Sequence, residues 1–357
     1  MSGVRARGKD IRRYILENVE KQPEGISRGA AEKFGITRQA VNKHLQRLTA
    51  EGALVESGNT RARSYKLVSL ANWANHYAIT PELEEHQVWE GVKPHLGVLP
   101  DNVMNIWHIG FTEIFNNAIE HSEGDFITVS VDKTAVNCEM VILDDGVGIF
   151  HKIQEHLKLE DPRHSVLELA KGKFTTDPKR HSGEGIFFTS RMFDSFSISS
   201  RGVFYSHDFG KTEEWISETT SRREGGTAVV LELSNHTART ARSVYDTYSS
   251  VEGGFTKTVV PVRLAQHGND QLVSRSQAKR LLARIDRFHI VMLDFQDVPA
   301  IGQGFADEIF RVFQQAHPEI QICPINANDE VKKMVVHALG GKAARIEGGQ
   351  GDQLPLI

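Results

Sequence analysis

Three glycine-punctuated junctions between residues 142 and 233 constrain this chain more than any other feature. The apolar run "ILDDGVGIF" (142–150) ends in two aspartates and a Gly-x-Gly pair, "HSGEGIFF" (181–188) sets a second pair before a helical stretch, and "GGTAVVLEL" (225–233) opens a strand on a third. Glycine lets a backbone approach a ligand or another chain with no side chain between them. Before a helix, unpaired N–H groups and the positive end of the dipole favour phosphate. Taken alone, "ILDDGVGIF" suits a hairpin turn, a metal site or one wall of a nucleotide pocket. Helices around 82–93, 101–122 and 185–193, with strands at "FITVSVD", "CEMVILDD", "SFSISSRG" and "GTAVVLEL", fit an antiparallel α+β sandwich.

In "TEIFNNAIEHS", Glu113, Asn117 and His121 are spaced by four and share one helical face, while Asn116 is rotated by about one hundred degrees. Apolar Phe111, Ile114, Phe115, Ala118 and Ile119 surround that stripe. A carboxylate in such a setting needs a partner: a structural hydrogen bond or a ligand.

Helix with Glu-x-x-x-Asn, strand with Asp-x-Gly-x-Gly, Gly-x-Gly before a helix and Gly-Thr on a strand together resemble the GHKL ATPases, which include gyrase B, histidine kinases and anti-sigma-factor kinases. "EIFNNAIEHS" is most similar to the anti-sigma-factor kinase branch. The resemblance implies a two-layer α/β sandwich that binds ATP with Mg²⁺. It implies Asp144 as acceptor for the adenine amino group, with Asp145 the less determined neighbour. Gly146 and Gly148 would pass close to the base, Thr227 would hold an adenine-bound water, Asn117 would ligate Mg²⁺, and Glu113 would be the general base. Gly183 and Gly185 would face phosphate. The polar segment 150–182 reads as a lid or insertion with no obvious core, offering Lys171, Lys173, Lys179 and Arg180 as phosphate partners. His151 and His156 lack matching ligands for a metal.

The net charge of -4 hides an asymmetry: residues 1–66 carry 14 Lys+Arg against 7 Asp+Glu, a net of +7, and the remainder is acidic. Such a basic end is the footprint of a polyanion-binding module. Ile11, Tyr14, Ile15 and Val19 have helical spacing, Ser27 and Thr37 are expected N-caps of two further helices, and Gly35 is placed to end the first of these. Ala40, Val41, His44 and Leu45 are expected in a core. The order helix, turn, helix, then a hairpin around "NTRA", resembles the winged helix-turn-helix of bacterial transcription regulators over about residues 8–68. It implies DNA contacts from Arg38, Gln39, Asn42 and Lys43 on the second helix and from Arg61 and Arg63 on the hairpin. A module for protein contacts or dimerisation is the alternative.

In the C-terminal third, apolar "IVML", a helix over 303–316 and a strand at 320–325 form the pattern of a covered parallel sheet. It resembles the STAS fold of anti-sigma-factor antagonists, with Asp294 as the strand-ending acid. Antagonists switched by phosphorylation carry Ser or Thr at the start of the following helix. Gln303 and Gly304 stand here, so docking, coupling or self-association as a homodimer is expected rather than phosphate acceptance.

No apolar run approaches the roughly 20 residues a membrane span needs and no signal peptide is visible, so the expected location is the cytoplasm. Cys138 and Cys323, each inside an apolar run, read as buried reduced thiols. The expected organisation is a winged helix (1–68), linker (69–80), GHKL domain (81–236), linker (237–255), STAS-like domain (256–345) and tail (346–357). The expected function is an ATP- and Mg²⁺-binding regulator of transcription with an unidentified protein partner. A protein serine/threonine kinase or an ATP hydrolase is the alternative.

Overall fold

The computed structural model describes residues 2–58, 63–175, 182–210, 214–218, 225–249, 254–266 and 271–340. Helices α1 (Ser2–Asn18), α2 (Ile26–Phe34) and α3 (Arg38–Ala50) surround a small core that includes Ile11, Ile15, Ile26, Val41 and Leu45. Thr37 caps α3 by accepting the Ala40 N–H at 3.2 Å, a bond worth about 1 kcal/mol. Gly35 ends α2 in the left-handed conformation, at φ 60°. Ser27 lies within the first turn of α2 rather than capping it, and its hydroxyl donates to Asn42 Oδ1 at 3.0 Å. Ala40 and His44 are only half-buried, because this core is narrow enough that α3 reaches it mainly through Val41, Leu45 and Leu48. Strands β1 (Leu54–Ser57) and β2 (Ser64–Leu67) close the region as an antiparallel pair.

The expected linker 69–80 contains β3 (Ala71–Ala78), paired antiparallel along its whole length with β4 (Phe126–Lys133). Trp73 and Tyr77 account for it. One stacks on His95 and the other meets Phe115 edge-on, while most of the remaining residues are exposed, so the strand has the hydropathy of a loop. As an edge strand it buries little, which is why its pattern is weak.

Helices α4 (Glu85–Leu96) and α5 (Asp101–His121) precede β4 and pack on the sheet. Then follow β5 (Asn137–Asp144), α6 (Ile149–Leu157), α7 (Arg163–Lys171), α8 (Gly185–Met192), β6 (Ser195–Ser200), β7 (Val203–Asp208), β8 (Glu214–Glu218) and β9 (Thr227–Ser234). The strand order is β3-β4-β5-β9-β6-β7-β8, each pair antiparallel. Buried Ile127, Val129 and Val131 alternate with half-exposed neighbours on β4, as one-sided helical cover requires. Ala135, in the β4–β5 turn, packs against the N-terminal core.

The expected linker 237–255 contains a helix, α9 (Ala241–Tyr248), held at its start by a reciprocal pair of bonds between Thr240 and Ser243. Beyond it, β10 (Lys257–Pro261), β11 (Ile290–Asp294) and β12 (Gln321–Ile325) form a parallel sheet in that order. Helix α10 (Arg275–Leu282) precedes β11. After β11, α11 (Gln303–Asp307) runs through a π-helical stretch, Glu308–Phe313, into α12 (Gln314–Ala316), and α13 (Asp329–Ala338) follows β12. The central and C-terminal parts share one continuous core, reaching from Val88 to Ala338. Cys138 is buried, whereas Cys323 is half-buried because β12 is an edge strand. Among the described residues no helix is long and apolar enough to cross a membrane. The tail 346–357 lies outside the described residues.

Candidate functional site

Helix α5 presents Glu113, Asn117 and His121 on the face predicted by their spacing, while Phe111 and Phe115 are fully buried on its other side. Register places Asp144, the last residue of β5, opposite Thr227, the first of β9. Asp144 Oδ1 accepts the N–H groups of Gly146 at 3.0 Å and Thr227 at 3.1 Å. Burial raises the pKa of this carboxyl above its ordinary value. The two backbone N–H groups oppose that rise and the neighbouring Asp145 adds to it. Thr227 Oγ1 accepts the Ile149 N–H at 3.0 Å, tying the floor of the site to the start of α6.

These elements enclose a cavity of about 370 Å³, within the size range of small-molecule sites. Glu113, Asn117, Asp144, Gly183, Gly185 and Thr227 all line it, brought together from four separate stretches of chain. Gly146 and Gly148 do not. A β-carbon on Gly146 would overlap the Ser122 carbonyl, so this glycine is required by the close approach of two chain segments rather than by the cavity wall. Asp145, expected to be the less determined of the two acids, accepts the N–H groups of Asp125 at 2.9 Å and Phe126 at 3.0 Å through Oδ1. It fixes the turn that enters β4.

The segment expected to be a lid is built differently. Every residue of α7 after Arg163 is buried, because the helix packs against α6, α8 and β10. Lys171 is turned away from the cavity. Its ammonium donates to Glu168 Oε1 at 2.6 Å and to the carbonyls of Arg280 at 3.0 Å and Ala283 at 2.9 Å. Burial lowers its pKa and Glu168 opposes the shift. Lys173 likewise donates to the Arg287 carbonyl at 2.9 Å. Neither supports the phosphate role read from the sequence. The hydropathy of "RHSVLELAK" could not reveal this, since Glu168 and Lys171 find partners in a domain more than a hundred residues away. Lys179 and Arg180 lie outside the described residues.

Several lining residues were not singled out from sequence: Lys152, Phe174, Glu184 and Tyr245. Lys152 bridges the His121 carbonyl and Glu123 at 2.8 and 2.7 Å. Burial raises the pKa of Glu184, and Lys173 opposes this. Tyr245 belongs to α9, and the Thr-x-x-Ser start of that helix was the available signal. His151 pairs with Glu155, and His156 meets Phe174 edge-on. Among the described residues no group of three or more His, Cys, Asp or Glu converges to hold a metal.

At the N-terminal end, Arg38, Gln39, Asn42 and Lys43 are exposed along α3. Arg63 is paired with Glu56 at 2.9 Å, and Arg61 lies outside the described residues. In the C-terminal domain, Asp294 accepts the Gln296 N–H at 2.9 Å and the Asn326 side-chain amide at 3.0 Å. Gln303 and Gly304 begin α11, with no hydroxyl there.

Residues 277–332 match the family model described as a STAS-like domain of unknown function (DUF4325). No curated protein matches the chain.

Proposed function

We propose that this protein is a regulator that binds ATP with Mg²⁺ in the central cavity and DNA through the N-terminal helices. In this reading its nucleotide state biases DNA or partner binding. The observation that carries the proposal is the convergence of Glu113, Asn117, Asp144, Gly183, Gly185 and Thr227 on one cavity. A buried carboxylate and a hydroxyl at one side suit a base with an exocyclic amine. The start of α8 suits phosphate at the other.

The donor set fits Mg²⁺ only as a shared ligand: Asn117 supplies one neutral oxygen, and phosphate oxygens and water would complete the shell. When bound, the ion would neutralise phosphate charge. The chain's own residues bind and orient: Asp144 accepts, Asn117 ligates, and the N–H groups at the start of α8 donate.

Coupling to the STAS-like domain is supported by Phe174. It lines the cavity, and the guanidinium of Arg284 lies 5.1 Å from its ring centre. Couplings of this type are worth about 1–3 kcal/mol. DNA binding is supported by the exposed row on α3 and by the net charge of +7 over residues 1–66, from 14 Lys+Arg and 7 Asp+Glu.

A second reading, an ATP hydrolase or serine/threonine kinase acting on another protein, is favoured by Glu113, whose carboxylate lies in the cavity against the start of α8. Equilibrium binding of ATP with and without Mg²⁺ tests the first reading. Asp144→Asn binding as tightly as wild type would remove the assignment. Equal phosphate release by wild type and Glu113→Ala would show that Glu113 is not a base.

A further inference from the structure

Helix α9 leads from the central sheet to the C-terminal domain, and it packs against α5 and α8. Tyr245 and Tyr248 are three residues apart and therefore neighbours on one helical face. They do different things. Tyr248 meets Phe187 at 5.0 Å, and Phe187 in turn contacts Phe255, which contacts Phe288. That ring cluster joins the central and C-terminal domains. Tyr245 rests on Phe188 at 4.5 Å between ring centres, stays 37% exposed, and lines the cavity.

Among the described residues, the charged side chains at this end of the cavity offer little to a bound anion. Glu113 and Glu184 line it with carboxyl groups, which in their ionised form accept hydrogen bonds and cannot donate to a bound anion. Lys171 and Lys173 are committed to carbonyls of the C-terminal domain, and Lys152 to His121 and Glu123. A polyphosphate entering here needs donors other than these lysines. The backbone at the start of α8 supplies some.

We propose that Tyr245 supplies another: its phenolic O–H is a contact for the phosphate groups of the nucleotide, contributed by the connection to the C-terminal domain. The inference rests on nucleotide binding in this cavity. Burial and the charges of Glu113 and Glu184 raise the pKa of the phenol above its ordinary value, so it remains a neutral donor through the physiological range. A neutral hydroxyl also suits the site better than another fixed charge. It can turn its proton toward phosphate when ligand is bound.

Calorimetric titration of the full chain with ATP and Mg²⁺ tests this, comparing wild type, Tyr245→Phe and Tyr248→Phe. Tyr245→Phe keeps the ring on Phe188 and removes only the hydroxyl. It should weaken binding roughly tenfold, as loss of a hydrogen bond to a charged group does, with an unchanged melting midpoint in the absence of nucleotide. Tyr248→Phe, which keeps its ring cluster, should bind like wild type. Equal affinity of wild type and Tyr245→Phe overturns this inference alone. A loss matched by a lowered nucleotide-free midpoint assigns the hydroxyl to the fold and also overturns it. Wild type that binds no nucleotide overturns the nucleotide reading and this contact with it.

Discussion

The Glu113 carboxylate lies so close to the α-carbon of Gly185 that a β-carbon there would overlap Oε2. These two residues belong to different motifs, one on α5 and one opening α8, and their contact joins the helix carrying the acid to the glycine turn. Gly185→Ala should therefore displace the Glu113 carboxylate, and because the overlapped atoms are the far end of a flexible side chain the loss of stability should stay below the about 1–3 kcal/mol of overpacking a rigid core. The double variant Gly185→Ala with Glu113→Ala should recover much of that loss. Urea unfolding of the four members of the cycle measures the coupling, and strict additivity would contradict the contact.

Asp144 and Asp145 should fail in different ways. Asp145→Ala removes the acceptor of the Asp125 and Phe126 N–H groups, and because the turn is exposed and water can replace that acceptor it should lower stability by about 0.5–1.5 kcal/mol and affect nucleotide binding less. Asp144→Asn should do the reverse. Melting curves and ATP titrations on both variants separate the two roles.

Lys171 should be costly to remove. Lys171→Ala leaves the buried Glu168 with Arg284, 3.6 Å from its other oxygen, as its remaining partner, so the loss should be less than the about 3–5 kcal/mol that follows when a buried pair is broken outright. Chemical unfolding should give a lower midpoint for Lys171→Ala. Lys171→Met with Glu168→Leu should lie much closer to wild type. If Lys171→Ala is neutral, the pair does not hold the domains together.

On DNA, Arg38→Ala and Lys43→Ala should each weaken binding across all sequences and reduce the salt slope by about 1. Arg63→Ala should have a smaller effect, because its guanidinium is already paired with Glu56. Titrations of mixed duplex at several salt concentrations test the ranking. No binding at low salt would leave the N-terminal module with protein contacts.

The two cysteines should differ in reactivity. Burial pushes the Cys138 thiol up to about 12, so it stays protonated at pH 8, whereas Cys323 is half-buried. A thiol reagent should modify Cys323 and spare Cys138 in the native protein, with both modified in denaturant. Because the native pKa is raised, the native state favours the protonated thiol. Its contribution to stability is full below the unfolded pKa of about 8.5 and is lost as pH rises towards 12. Thermal midpoints of wild type and Cys138→Ala should therefore converge as pH rises through that window.

By itself, the sequence determined those features that depend on local spacing. The four-residue interval from Glu113 to Asn117 sets a shared helical face, Thr37 and Gly35 bound α3 and α2, and Asp144 and Thr227 mark strand ends. These follow from helix and strand periods that hold in any fold. Tertiary structure alone decided what each group meets. It made a strand of the loop-like 71–78, turned Lys171 from a phosphate candidate into a buried domain contact, gave Asp145 a structural task and brought Tyr245 to the cavity. Each outcome depends on partners far away in the chain, and the free energy of burying a strand edge, an ammonium or a phenol is set by those partners rather than by sequence neighbours.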